Sequence, residues 1–187
     1  MGSGKSTVCR IFAQLGIPVY DADSRAKSLM LESPLKEQIQ TAFGAEAYLP
    51  DGELNRSYLA QVVFADALKL QVLNSLVHPA VAADAKGWHE SQTNVPYTLR
   101  EAALLIESGS YKQMDYLIVV TATEEIRLER VIARDHTTRE AALARMNKQL
   151  PESEKVALAQ FVIKNDGDTA LIPQVLHIHQ LLSRQVR

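Results

Sequence analysis

The first seven residues, Met1-Gly2-Ser3-Gly4-Lys5-Ser6-Thr7 (MGSGKST), are the stretch that decides the fold. Gly4-Lys5-Ser6 matches the end of the phosphate-binding pattern G-x-x-x-x-G-K-[ST], whose first glycine would fall before residue 1. In such a loop, backbone N–H groups and the start of the following helix converge on phosphate oxygens. The lysine reaches the β- and γ-phosphates, and the Ser/Thr hydroxyl can ligate Mg²⁺. By position Gly2, Ser3, Gly4, Lys5, Ser6 and Thr7 are the candidate phosphate-binding residues, with Ser6 as the metal ligand. A bare GSGKS also suits a flexible tag, but here the context is specific. Val8, Ile11, Phe12 and Leu15 follow at helical spacing, Gly16 ends that helix, and Ile17-Pro18-Val19-Tyr20 returns as a short buried strand. The strand that should feed the loop is missing from the sequence, so the natural chain is expected to start several residues earlier.

Working outward, 187 residues suit one domain with inserted lobes. Apolar residues make up 47% and charged residues 22%, an ordinary globular composition. A net charge of −2 gives no basic footprint for nucleic acid. The one cysteine, Cys9, excludes an intramolecular disulfide and is expected to pack in the core. No apolar run suits a bilayer and no signal peptide precedes the first motif, so a cytoplasmic protein is expected.

A helix is predicted to start at Asp23 or Ser24, both good N-caps. Residues 33–94 contain no convincing strand. Ser33-Pro34 opens a helix carrying Leu35, Ile39 and Phe43 that Gly44 closes. Asn55 then caps a long helix, which His78-Pro79 should break before another runs to about residue 91. Strands are predicted over 97–106, 116–122 and 161–164, apolar enough for a parallel sheet covered on both faces. Charged helices should span 124–134 and, from the capping box Thr137-x-x-Glu140, run to about Gln149. A last helix over 170–184 carries Leu171, Val175, Ile178 and Leu182 on one face.

A phosphate loop alone does not separate a switch from an enzyme. The guanine-specific Asn-Lys-x-Asp segment is absent, since Asn147-Lys148-Gln149-Leu150 lacks the aspartate. A kinase needs a base, cations for the transferred phosphoryl and an acceptor site. Asp21 and Asp23 follow the strand at 17–20, on the sheet edge where α/β ligand sites lie; either could accept a proton or hold the metal's waters, or simply cap a helix. The arginine-rich helices could close over ATP, although Arg127, Arg130 and Arg139 read as a solvated face. Glu101 stands inside an apolar strand and calls for a cationic partner or a metal's water shell, with Lys5 the candidate. His177 and His179, two apart on a helix, do not share a metal, and Trp88 reads as packing.

Taken in order, the pieces resemble the dephospho-CoA kinase family over nearly the whole chain. GSGKST, PVYDAD (18–23), Gly52-Glu53-Leu54-Asn55-Arg56, VVF (62–64), LVHP (76–79), ALLIESG (103–109), Arg134-Asp135, Arg145-Met146-x-x-Gln149 and FVIKNDG (161–167) carry it. The resemblance implies an α/β fold of the P-loop NTPase, nucleotide-kinase-like type: a parallel sheet with helices on both faces, a helical acceptor-binding insertion and a small helical lid. The nucleotide-binding core would comprise 1–31, 95–123 and 155–187, the acceptor lobe 32–94 and the lid 124–154. It also implies transfer of the γ-phosphoryl of ATP, with Mg²⁺, to the 3′-hydroxyl of dephospho-CoA. By motif position Asp23 is the general base with Asp21 beside it, and Lys5 and Ser6 hold phosphates. Arg134 and Arg145 occupy lid positions, Arg56 and His78 acceptor positions, and Asn165 the passage beside adenine.

The chain departs from the family in having Gln160 for an aspartate, Ala103 for a proline and Asn55 for the middle residue of Leu-Asp-Arg; none removes a required catalytic group. The partner expected is a small molecule, with no nucleic acid and no membrane, for a monomer or weak homo-oligomer. Two other readings stay open: a different P-loop kinase acting on a nucleoside monophosphate or sugar alcohol, and an ATP-binding protein whose broken loop leaves it without turnover.

Overall fold

A computed structural model of the chain describes residues 1–185. The chain divides into two units, Met1–Val19 with Asn94–Arg187, and Tyr20–Thr93.

The first unit begins with the glycine loop and α1 (Lys5–Gln14), which buries Val8 and Phe12. Gly16, at φ 81°, turns the chain toward β1 (Val19–Asp21). This strand starts two residues later than the apolar run predicts; just before it the Pro18 carbonyl accepts the Leu99 N–H at 2.9 Å, at the start of β2 (Leu99–Glu101). The strand predicted over 97–106 is confined to Leu99–Glu101. Beyond it the backbone bonds locally, Ser108 N–H to Leu104 and Gly109 N–H to Ile106, both at 2.9 Å. An apolar run signals burial and leaves the backbone conformation open.

β3 (Ile118–Thr121) and β4 (Phe161–Lys164) pair in parallel, with Val120 opposite Ile163. Between them lie α6 (Glu124–Asp135), α7 (Arg139–Met146) and α8 (Glu152–Leu158). The cap of α7 is Thr138, one residue beyond the predicted box: its hydroxyl accepts the Ala141 N–H. Last comes α9 (Leu171–Gln185). Val175, Ile178 and Leu182 of this helix join Val8, Phe12, Ile17, Val120 and Ile163 in one core, with Leu171 against it. A second cluster, Leu128, Val131, Ala142 and Met146, locks α6 to α7.

The second unit is helical: α2 (Ala22–Leu29), α3 (Leu35–Phe43), α4 (Arg56–Ala65) and α5 (Ala67–Glu90). Its core is built on Leu35, Ile39, Phe43, Ala47, Tyr48 and Leu59. The helix break expected at His78-Pro79 lies instead at Asp66. That residue is extended (φ −139°, ψ 110°), and its carboxylate accepts the N–H groups of Leu68 and Lys69, which caps α5. Pro79 sits inside α5; it removes the donor for Ser75's carbonyl, and both residues are exposed, so water can replace it.

Candidate active site

Gly4 caps α1 in the left-handed region (φ 88°) with no side chain to bond the helix's first N–H groups. Those orphan donors and the positive end of the helix dipole make this end of α1 an anion seat. The loop before it is tightly backed. A Cβ at Gly2 (φ 75°) would lie 2.3 Å from the Arg127 carbonyl oxygen, and one at Gly4 would lie 2.1 Å from Asn165 Nδ2. Both positions therefore demand glycine twice over, by backbone conformation and by space. Ser3 between them is buried.

Asn165 is the hub of this backing. Its side-chain amide donates to the Ser3 carbonyl at 2.8 Å, its N–H donates to Thr121 at the end of β3, and its carbonyl accepts Arg130 Nη1 at 3.0 Å. Three elements thus meet at one residue. Arg130, expected in solvent, is the α6 anchor of this joint. Arg127 is also drawn in: its Nε lies 2.9 Å from Glu152 Oε2, an ion pair not aligned as a hydrogen bond, while Glu152 Oε1 accepts the Ala122 N–H. Of the three arginines assigned to a solvated face, Arg139 fits that description, pairing with exposed Glu125.

Ser6 Oγ donates to Glu101 Oε1 at 2.9 Å. The partner of the half-buried Glu101 is thus a hydroxyl, where a cation such as Lys5 was expected. Lys5 is the first residue of α1 and half-buried; Thr7 is exposed and its N–H bonds back to Gly4.

Arg134 and Arg145 are brought together on one carboxylate. Arg134 grips Asp135 through Nε (2.7 Å) and Nη2 (3.0 Å), and Arg145 Nη1 reaches the same Oδ2 at 2.7 Å. The Arg134 hydrogen bond, helped by Arg145, holds Asp135 down to about 2. Two guanidiniums against one carboxylate leave a net positive charge on exposed side chains, suited to a second anion.

In the second unit, Asp21 and Asp23 have different surroundings. Asp21 is the N-cap of α2, a role predicted for Asp23 or Ser24. Its Oδ1 accepts the Ser24 N–H at 3.0 Å and its Oδ2 the Ser24 hydroxyl at 2.6 Å. Partial burial raises its proton affinity, but the Ser24 bonds outweigh that and leave it below the usual carboxylate range. Asp23 lies exposed in the first turn of the same helix. Arg56 opens α4 and His78 sits inside α5, both exposed. Trp88 packs on Tyr20 with ring centroids 5.3 Å apart.

Comparison with known proteins gives consistent results. The dephospho-CoA kinase family model matches residues 1–170. A dephospho-CoA kinase of Chlorobium chlorochromatii is 40% identical over 193 residues, with 99% of this chain and 91% of that protein covered. One from Bacteroides fragilis is 33% identical over 187 residues, covering 100% of this chain and 91% of the relative. Among solved structures, a Thermus thermophilus protein superposes with a TM-score of 0.83 at 31% identity, covering 100% of this chain and 94% of its own. The dephospho-CoA kinase from Campylobacter jejuni gives 0.72 at 27% identity, with 100% and 95% covered.

Proposed function

The chain belongs to the dephospho-CoA kinase family, and on that premise we propose how its residues divide the work of phosphorylating dephospho-CoA with ATP. The γ-phosphoryl leaves ADP as its bond to the β–γ bridging oxygen breaks, and a new bond forms to the 3′-oxygen of the acceptor ribose. The observation that carries this reading is the backed, uncapped N-terminus of α1, where Gly2 and Gly4 have no room for a side chain. Backbone N–H groups from Gly2 to Ser6 grip the β- and γ-phosphates with Thr7 completing the loop's first helical turn, and Lys5 supplies the charge that stabilises the loose, anionic transition state.

Asp23 takes the proton of the attacking hydroxyl. Asp21 stands beside it, with both its oxygens committed to Ser24 and its proton affinity lowered. Arg134 and Arg145 meet the phosphates from the lid, Arg56 and His78 hold the acceptor, and Asn165 keeps the loop in place beside the nucleotide. The Ser6 hydroxyl and Glu101 carboxylate are hard oxygen donors of the kind Mg²⁺ prefers, so the residues fit that ion; bound there, it would neutralise charge on the β- and γ-phosphates. By function, residues 1–31, 95–123 and 155–187 would serve the nucleotide, 32–94 the acceptor and 124–154 as the lid, a division that cuts the chain later than the boundary of the compact units after Val19. Among the described residues no helix is long and apolar enough to cross a membrane. The family's small-molecule chemistry supports reading the protein as a cytoplasmic enzyme, monomeric or weakly self-associated.

The test is ADP formation with dephospho-CoA, a nucleoside monophosphate and a sugar alcohol offered in turn. Turnover with dephospho-CoA alone is expected. Turnover only with the monophosphate, or ATP bound without any phosphorylated product, would overturn the reading.

A further inference from the structure

The proposed base, Asp23, is an exposed residue in the first turn of α2, beside the buried Ala22. Besides the Asp21 cap, a carboxylate on another helix ties that turn down. Tyr20, immediately before the acidic segment, is 3% exposed; its hydroxyl donates to Asp84 Oδ2 at 2.6 Å, and its ring rests on Trp88. Arg25, two residues after Asp23, grips the same carboxylate with both arms of its fork, Nε to Oδ2 at 3.0 Å and Nη2 to Oδ1 at 2.7 Å. Asp84 therefore accepts three hydrogen bonds, from residues on either side of Asp21–Asp23. Tyr20 also reaches the Val81 carbonyl at 3.4 Å. Val81, Asp84 and Trp88 recur at helical spacing, so a single face of α5 receives both ends of the segment.

We propose that Asp84 is a positioning residue for the phosphoryl-acceptor step, holding the Asp21–Asp23 turn in register by clamping Tyr20 and Arg25. The proposal rests on the assignment of the proton acceptor to Asp23. Its physical basis is the difference between this pair and an ordinary surface ion pair. Asp84's side chain is 24% exposed, the Arg25 contact is a two-point fork, and the third donor is a buried phenol. The Arg25 fork, with Tyr20's bond in support, holds Asp84 ionised below the usual carboxylate range. Loss of the carboxylate would cost Tyr20 its 2.6 Å hydrogen bond and Arg25 its two-point fork, leaving Arg25 the longer contact to Glu32 at 3.5 Å. The turn would then be free to shift, and a displacement of about 1 Å at a reacting group can cost about 100-fold in rate.

The test compares Asp84→Asn, Asp84→Glu and Asp23→Asn by steady-state kinetics with ATP and dephospho-CoA, well below each variant's melting temperature. Asp84→Asn is expected to lower kcat about 10- to 100-fold with the KM for ATP within about twofold, and Asp84→Glu to recover part of the loss. A purely structural role would lower the melting temperature and leave kcat of the folded enzyme unchanged, which overturns the proposal. The controls separate two kinds of failure. A slow Asp23→Asn beside an Asp84→Asn at the parental rate defeats the positioning role alone, whereas an Asp23→Asn at full rate removes the premise. Should Asp84→Asn not fold, Tyr20→Phe and Arg25→Gln each release one arm, and parental kcat in both would equally overturn it.

Discussion

Replacing Gly4 with alanine puts the proposed phosphate seat under direct stress. Gly4 sits at φ 88°, where an L-residue is strained by about 1–2 kcal/mol. The added Cβ would also stand 2.1 Å from Asn165 Nδ2, so that amide must retreat from Ser3 and give up a hydrogen bond worth about 0.5–1.5 kcal/mol. The expected destabilisation is their sum, about 1.5–3.5 kcal/mol. Because Asn165 also ties β3 and Arg130 together, its retreat should move the loop and lower turnover about 100-fold. Gly16→Ala is the matched control. Its φ is 81° with nothing within 4 Å, so it should lose about 1–2 kcal/mol by strain alone and keep full activity. Urea unfolding and ATP kinetics on both variants supply the readout. A Gly4→Ala protein no less stable than Gly16→Ala, and turning over at the parental rate, would refute the reasoning.

Three further outcomes are expected. Lys5→Ala should lose about 10²–10³ in kcat, and a parental rate in that variant would end its assignment to the transferred phosphoryl. Asp23→Asn should depress kcat more than it raises the KM for ATP; the reverse pattern in steady-state data would make it a binding group. Glu107 and Lys155 pair at 2.6 Å with side chains 17% and 16% exposed. Burial raises the Glu107 carboxyl, but Lys155 and nearby N–H groups leave it below its ordinary value. A lowered folded-state pKa gives stability that is present above about pH 4.5 and lost as pH falls through the folded value. Glu107→Gln should therefore cost about 1–3 kcal/mol at neutral pH and flatten the acid side of the melting-temperature profile; a slope like the parent's would count against the pair.

The features legible in the sequence are those set by local chemistry. α1 and α9 follow from apolar spacing, and Gly16 and Gly44 end helices with φ 81° and 89°. β4 spans the predicted residues, Phe161–Lys164. Apart from the helix caps, which are local, the misses share a cause: the deciding partner is distant in sequence. The apolar run at 97–106 leaves the strand after Glu101, and no local signal says so. The break at Asp66 was open to reading, since an aspartate followed by good helix formers is a cap, but His78-Pro79 was the louder signal. Asn165, 162 residues from Ser3, joins the loop only in three dimensions. Arg130 had one clue, standing a helical turn before Arg134 on the helix that backs the loop. Asp84 gave none, because its partners Tyr20 and Arg25 are 64 and 59 residues away.

The central claim is that the α1 terminus grips ATP while an aspartate prepares a ribose hydroxyl to receive the outermost phosphoryl. Phosphorus NMR of a mixture of ATP and dephospho-CoA with this chain tests it most directly. A new phosphomonoester on the 3′-carbon, growing one-for-one with ADP, is the predicted spectrum. Free inorganic phosphate growing in its place, with the acceptor untouched, would contradict the account.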